Sequence, residues 1–209
     1  MPTSHVVKPG EHLARIAAQY GFHDYTTIWD NPENAALKER RKSPHVLYPG
    51  DTLVIPDKFK KTEERATGER HVFQVKNKKI LLHIKLRDAG GNPIKSASCT
   101  VAVASGEGNL TTDDEGLTKR GIPVDAENGQ LQFGEFEAPI LIGHLDPVSE
   151  ISGQVGRLNN LGYRAGPLDA SDQSRFLSAV EEFQCDHGLK VDGICGPRTQ
   201  AKLKEAHGS

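Results

Sequence analysis

Nine histidines and three cysteines are the side chains of this 209-residue chain that are best suited to catalysis. They are scattered, and neither a His-Glu-x-x-His zinc-peptidase pattern nor a Gly-x-Ser-x-Gly nucleophile pattern occurs. In the middle of the chain, His71 and His83 have no acidic pattern beside them. These patterns predict a protein that is not an enzyme and that uses no cofactor.

Two further groups of residues could bind a metal ion or form a disulfide bond. Asp113, Asp114 and Glu115 could bind calcium, although an ordinary solvated turn explains such a run more simply. Cys185 and Cys195 could pair in an oxidising space, but the odd number of cysteines excludes a complete disulfide framework and favours ordinary thiols. We therefore expect no metal site.

The amino-acid composition limits the classes of partner that the protein is expected to bind. The 26 Lys and Arg residues against 28 Asp and Glu residues give a net charge of −2, whereas nucleic acids and anionic membranes attract clusters of positive charge. The basic run at 37–42 is expected to be a solvated helix face. No apolar run is long enough to cross a bilayer, and the first residues lack the pattern of a secretory signal peptide. A hydrophobic content of 36% predicts several small units rather than one large core.

Two Pro-Gly turns frame the elements that would position a binding site. They lie in VVKPGEHLARI (6–16) and in LYPGDTLVIP (47–56). Pro-Gly suits the centre of a type II turn, because glycine supplies the positive φ. The first turn precedes a helix, with Glu11 expected in the first helical turn, where negative charge is favourable. The second precedes a strand, so the two stretches are two ends of one domain and not an internal repeat.

The residues between the turns complete a βααβ unit. Apolar residues recur at helical spacing from Leu13 to Tyr20, and Gly21 suits the end of that helix. A second helical segment is expected after Asp24, and a further turn of helix begins at 31–34. The two short strands would then pair, with the helices on one side.

This N-terminal region resembles a LysM domain over residues 4–56, on the segments HVVKPGEHLARIAAQYG and LYPGDTLVIP. The resemblance implies binding of glycan that contains N-acetylglucosamine, such as peptidoglycan or chitin. The sugar would lie in a shallow groove between the two turns, with backbone groups on its acetamido group and apolar faces on its ring. The residues so implied are Gly10, Glu11, His12, Leu13, Tyr48, Pro49, Gly50 and Asp51. Glu11-His12 departs from the usual Asp with Thr or Ser, and the alternative is that these residues only build the fold.

Three short helices are predicted in the C-terminal region. Apolar residues share one face of each of the first two helices: Ile151, Val155 and Leu158, and then Phe176, Val180 and Phe183. Ser171 or Asp172 can cap the second helix, Gly188 ends it, and Pro197 begins the third.

The same region resembles the peptidoglycan-binding domain family over about residues 153–206. The motifs that carry the resemblance are LGY (161–163), FQ (183–184), VDG (191–193), GP (196–197) and Thr199. The first turn, LDASDQSRF, departs from the family pattern, and most matching residues are scaffold. Tyr163, Asp169 and Arg198 are candidate glycan contacts because they are polar or aromatic and lie near turns. The simpler alternative for each is a surface or capping residue.

Strand patterns fill the middle of the chain. HVFQV (71–75) and KILLHIKLRD (79–88) alternate as strands do, with Ile80, Leu82, Ile84 and Leu86 on one face. Further strands are expected within 96–105, on both sides of the Asp-Glu-Gly turn in 109–124, and once in GQLQFGEF (129–136). This spacing predicts a small antiparallel β-sandwich. It resembles the immunoglobulin-like or prealbumin-like spacer modules of bacterial surface and secreted proteins.

The predicted fold class is multidomain α+β, with a LysM-like domain (1–57), a charged linker (58–70), a β-sandwich (71–145) and a three-helix domain (149–209). The predicted function is non-catalytic, bivalent binding of peptidoglycan or a chitin-like glycan at the periplasm, the cell wall or outside the cell. Without a signal peptide, the protein is expected to leave the cytoplasm on a type VI secretion or phage-like particle, with a spike or tail protein as a further partner. The alternatives are a structural adaptor of such a particle that binds proteins, and a wall-targeted toxin with an unrecognised activity.

Overall fold

The computed structural model describes residues 2–58, 64–72 and 79–209, and the chain forms two compact units. The first unit comprises Met1–His5, His12–Ala36 and Thr52–Ile142, and the second comprises Val6–Glu11, Leu37–Asp51 and Gly143–Ser209. The four domain boundaries given above stay a prediction. No helix within the described ranges is long and apolar enough to cross a membrane.

The N-terminal region forms the predicted βααβ unit. Its elements are β1 (Thr3–Val6), α1 (Leu13–Gln19), α2 (Thr26–Trp29), a 3-10 turn (Pro32–Asn34), α3 (Ala35–Arg41) and β2 (Thr52–Ile55). β1 and β2 form a two-stranded sheet. The helices are short, so they depend on packing more than on their own propensity. The apolar faces of α1 and α2 are buried accordingly, with Ile16 and Ile28 fully enclosed.

The start of α1 differs from the expectation. The helix begins at Leu13, and His12 is its N-cap, with Nδ1 accepting a hydrogen bond from the N–H of Arg15 at 3.3 Å. Glu11 lies before the helix, and its carboxylate accepts the N–H of Lys8 at 2.9 Å. The prediction that Glu11 occupies the first helical turn is therefore wrong, because the carboxylate closes the preceding turn instead.

Asn34, in the 3-10 turn, ties the helical segment to β2. Its amide nitrogen donates to the carbonyl oxygens of Ile28 and Val54, both at 2.8 Å, and its amide oxygen accepts the N–H of Val54 at 2.8 Å. The side chain is 2% exposed. Asparagine commonly forms turns, but Asn34 is a buried bridge. Its burial is tolerated because all of its side-chain polar atoms have hydrogen-bond partners.

The middle region is an antiparallel sandwich of two sheets. Its strands are β3 (Lys79–Lys85), β4 (Ser98–Val103), β5 (Gly106–Thr111), β6 (Leu117–Pro123), β7 (Asn128–Phe133) and β8 (Phe136–Leu141). β3 pairs with β6, and the other four strands follow the order β5-β4-β7-β8. Val101, Ile122 and Leu131 from the two sheets belong to one buried cluster. The shared core is what makes the two sheets a sandwich.

Alternation along β3 agrees with the prediction. Ile80, Leu82 and Ile84 pack against the shared core, whereas the residues between them are exposed. Of the strand predicted at 71–75, residues 73–75 lie outside the described residues, and His71 and Val72 are not in a strand.

The single strand predicted at 129–136 is a hairpin instead. β7 and β8 are joined by the two-residue turn Gly134-Glu135, with Phe133 opposite Phe136. Gly134 has a φ of 56° at the first turn position, which glycine adopts without strain and which suits a tight hairpin. β8, which contains Pro139, is the outer strand of its sheet among the described strands.

The C-terminal region is the predicted three-helix domain. It consists of α4 (Ile151–Asn160), α5 (Gln173–Asp186) and α6 (Pro197–His207). Asp172 caps α5 by accepting the N–H of Arg175 at 3.1 Å, and Pro197 is the first residue of α6. Val155, Val180 and Phe183 are fully buried, as predicted. Ile151, expected on the buried face, is 55% exposed because it is the first residue of its helix.

Candidate functional site

The first predicted binding turn has the expected geometry. The N–H of Glu11 donates to the carbonyl oxygen of Lys8 at 3.1 Å, with Pro9 and Gly10 at the centre of the turn. The φ of Gly10 is 79°, the value that the third position of a type II turn requires. Backbone groups are thus presented in a fixed arrangement at this turn.

Two of the predicted site residues beside this turn are buried. Leu13 is 1% exposed and belongs to the core, and His12 is 8% exposed and caps α1. Gly10 and Glu11, in contrast, are half-buried. Whether any of them contacts glycan stays a prediction.

The second turn repeats this geometry and is bonded to Val7, the residue that follows β1 and precedes the first turn. The N–H of Asp51 donates to the carbonyl oxygen of Tyr48 at 2.9 Å, and the central Gly50 has a φ of 94°. Val7 donates its N–H to the carbonyl oxygen of Asp51 and accepts the N–H of Gly50, both at 2.8 Å. These two bonds hold the two turns side by side.

The Asp51 side chain, 3% exposed, is the internal anchor of the second turn. Its carboxylate accepts hydrogen bonds from Arg40 Nη2, Arg41 Nε, and Arg41 Nη2, each at 2.8 Å, and from the N–H of Tyr48 at 2.9 Å. Burial alone would raise the pKa of Asp51, but the hydrogen bonds from Arg41 and Tyr48 and the two positive charges hold that pKa below its usual range. The carboxylate is therefore ionised and fully engaged within the protein.

Arg41 corrects the prediction that the basic run is a solvated helix face. Its side chain is only 8% exposed, and its guanidinium carbon lies 5.4 Å from the centre of the Tyr48 ring. Arg40, by contrast, is 59% exposed. One arginine of the run therefore packs inward on the second turn, and the sequence alone gave no sign of which one.

The two turns border a groove of about 130 Å³. Gly10, Glu11 and Pro49 line it, so three of the eight predicted N-terminal residues come together there. Pro9, at the centre of the first turn, also lines it, and the remaining lining residues, which the sequence did not single out, are Val7, Lys8, Leu47, Gly143, His144, Asp146 and Leu168. All eleven belong to the second compact unit. The groove combines apolar faces with charged groups of both signs.

The C-terminal candidates have separate roles. The hydroxyl of Tyr163 donates to Asp186 at 3.1 Å, and its half-buried ring meets the Phe183 ring edge to face at 5.4 Å. Asp169 accepts the N–H of Ser171 at 3.0 Å, and that bond lowers the pKa of its carboxyl. Arg198 is exposed in the first turn of α6. The structure does not bring these three residues to one described pocket.

The loop beside Arg198 is organised by Gln184, which is 1% exposed. Its amide nitrogen lies within hydrogen-bonding distance of Asp192 Oδ1, Ile194 O, and Thr199 Oγ1, at 3.0–3.1 Å. Its amide oxygen accepts the N–H groups of Asp192 and Gly193 at 2.9 and 3.0 Å. The motifs FQ, VDG and Thr199, which carried the resemblance, thus form one structural network.

The acidic turn at 113–115 and the three cysteines are the remaining groups that the sequence singled out. Within the described residues, no three His, Cys, Asp or Glu residues are grouped so as to hold a metal ion. Asp113 accepts the N–H groups of Glu115 and Leu117, both at 2.9 Å, which makes it a turn-forming residue. All three cysteines are free thiols, and burial raises the pKa of Cys195 to about 11, which makes it a poor nucleophile.

Comparison with known proteins identifies both ends of the chain. Residues 5–29 match the LysM domain family, and residues 156–203 match the peptidoglycan binding domain family. A protein of Kitasatospora aureofaciens, "Uncharacterized protein in bpoA1 3'region", is 47% identical over 45 residues, which cover 22% of this chain and 38% of that relative. No solved structure matches. The chain therefore contains a LysM domain and a peptidoglycan-binding domain with a β-rich region between them, and both are binding domains rather than catalytic ones.

Proposed function

We propose that this protein binds peptidoglycan, or a similar glycan that contains N-acetylglucosamine, at both of its ends and catalyses no reaction. The observation that carries the proposal is the pair of type II turns joined through Val7, which present backbone groups and the side chains of Glu11 and Pro49 to one groove. A shallow groove with a few polar groups and apolar faces suits an uncharged, amphiphilic sugar better than a nucleic acid or a lipid.

Sedimentation with purified peptidoglycan sacculi tests the proposal. The whole chain is expected to sediment with the sacculi, and a soluble N-acetylglucosamine oligomer is expected to compete. Gly10→Trp and Gly50→Trp should each fill the groove or break a turn, and circular dichroism must show that these variants remain folded. A wild-type protein that stays in the supernatant, or folded variants that sediment as well as the wild type, would remove the assignment.

The absence of catalysis is tested separately. Sacculi incubated with the protein are expected to release no more soluble muropeptide than sacculi incubated with buffer. Release by the wild type would favour the wall-targeted toxin instead, and the sandwich would then be the first region to search for the activity.

Delivery by an injection system or phage-like particle stays a prediction from the sequence. It is tested by comparing culture supernatants of the native host with and without its sheath gene. The protein should disappear from the supernatant of the mutant, while a reference protein exported through the general secretory route should remain. Equal amounts of this protein in both supernatants would contradict the prediction.

A further inference from the structure

The groove between the two turns has a third side, and Leu168 is its one residue within a range that matches a known family. Gly143, His144 and Asp146 follow the sandwich, and they lie outside the ranges 5–29 and 156–203 that match known families. Leu168, 43% exposed, adds an apolar surface from the peptidoglycan-binding domain. The groove is therefore closed by residues far along the chain from either turn.

His144 lies directly against the first turn. A Cβ atom placed on Gly10 would come within 2.8 Å of His144 Nε2 and 3.0 Å of His144 Cε1, closer than a real side chain allows. At Gly50, which has the same role in the second turn, a Cβ atom would meet nothing within 4 Å. Gly10 thus allows the positive φ of the turn, and a side chain at this position would push the imidazole away from the turn.

The segment that carries His144 is held firmly by α4. Arg157, 1% exposed, donates from Nη1 to the carbonyl oxygen of Asp146 at 2.7 Å, and Gln154 donates to the carbonyl oxygen of Val148 at 3.0 Å. Gly153 lets the two backbones approach, because a Cβ there would collide with the carbonyl oxygen of Pro147. The third wall is thus preorganised, which lowers the entropic cost of binding.

We propose that His144 is a glycan-contacting residue and that the segment 143–146, with Leu168, completes the N-terminal site around an N-acetyl group. This inference rests on the proposed function. A volume of about 130 Å³ lies below the roughly 300–1,000 Å³ of pockets that enclose a small molecule, so the groove holds one substituent of a sugar. An acetamido group offers a methyl for the apolar lining and an amide for polar partners, and the imidazole can donate or accept a hydrogen bond.

Calorimetric titration of the whole chain with a soluble N-acetylglucosamine trimer tests the proposal, because so short a ligand is not expected to bridge two sites. His144→Ala is expected to weaken binding roughly 3- to 10-fold, the worth of one hydrogen bond. His83→Ala, on the exposed side of β3, is the matched control. A glucosamine trimer, which lacks the N-acetyl groups, is expected to bind more weakly than the acetylated trimer.

A comparison of substitutions at Gly10 and Gly50 makes the test more specific. Gly10→Ala and Gly50→Ala carry similar backbone strain, but only Gly10→Ala displaces the imidazole, so it should weaken binding more. That excess should vanish when both proteins also carry His144→Ala. Affinity that is unchanged or higher in His144→Ala overturns the inference, as does equal binding of the two trimers. If the wild type binds neither trimer nor sacculi, the proposed function itself fails.

Discussion

The two ends of this molecule are expected to bind similar ligands, but they are built differently. At the N-terminal end, backbone turns and side chains converge on one groove, and a buried carboxylate, Asp51, holds the second turn by charge. At the C-terminal end, Tyr163 and Asp169 bond to their own neighbours, and an uncharged amide, Gln184, holds the loop.

This difference explains why one family resemblance indicates a candidate binding site and the other does not. Pro9, Gly10 and Pro49 of the two N-terminal Pro-Gly turns also line the groove, so the motif points to the candidate site. The motif residues of the C-terminal end are the internal bonds of the scaffold, so they identify the domain and leave its binding surface unmarked.

The strongest test of the comparison asks whether both ends bind. On sacculi, disabling either end of the whole chain, with Gly10→Trp or with the double change Tyr163→Ala and Arg198→Ala, should weaken retention by roughly 10²–10⁴-fold, because linked sites raise each other's effective concentration. Retention is measured after successive washes, with circular dichroism as the control for folding. If either variant is retained as well as the wild type, the altered end is not a wall-binding site.

The next test removes the charged anchor of the N-terminal end. Asp51→Ala leaves the guanidinium of Arg41 with only the more distant carboxylate of Glu150, 3.9 Å away, and the free energy of unfolding should fall by up to about 3–5 kcal/mol. Urea unfolding measures the change. The matched control is Glu205→Ala, which breaks the exposed Lys202–Glu205 ion pair and should change stability little. A small effect of Asp51→Ala would mean that Arg41 finds water or another partner.

The corresponding test at the other end replaces the uncharged anchor. Gln184→Leu keeps the volume but leaves the N–H groups of Asp192 and Gly193 without an acceptor, so stability should fall by about 1–3 kcal/mol for each group that stays buried. Gln173→Leu, at the exposed start of α5, is the control. If both changes have the same effect in urea unfolding, the network does not organise the loop.

The smallest expected effect is a dependence on pH that distinguishes the two anchors. The pKa of Asp51 is lowered by folding, so its stabilising effect is present above the unfolded value near 3.9 and is lost as pH falls through the folded value. The stability difference between the wild type and Asp51→Asn should therefore shrink between pH 5 and pH 2, by at most about 1.4 kcal/mol per pH unit. The difference between the wild type and Gln184→Leu should also shrink as pH falls, but less, because the amide itself does not titrate and only its hydrogen bond to Asp192, which lowers the pKa of that carboxyl, depends on pH.

Local signals in the sequence predicted most of the elements. The turn type at Gly10, the alternation along β3 and a cap at Ser171 or Asp172 depend on residues close together in the chain, and all three are confirmed, with the cap at Asp172. The hairpin at Gly134-Glu135 was missed, although a glycine at the first position of a two-residue turn is a local signal that could have revealed it.

What the sequence could not provide depends on distant pairs. The bonds of Asn34 to β2 and of Arg41 to Asp51 join residues at least ten positions apart, and nothing in their spacing distinguishes them from surface residues. The same holds for His144, which lies more than a hundred positions from Gly10. Motif reasoning therefore located the two turns of the groove and missed its third wall.

Pro139, in the outer strand β8, affects how copies of the protein can associate through the edge of this sheet. A proline has no N–H to offer to a further strand, so it interrupts the row of donors along that edge of the sheet. Phe136 and Leu141, at the two ends of the strand, are each 59% exposed and would otherwise favour edge-to-edge association. If the proposed function brings many copies together along one glycan chain, this interruption would disfavour the joining of their sheets.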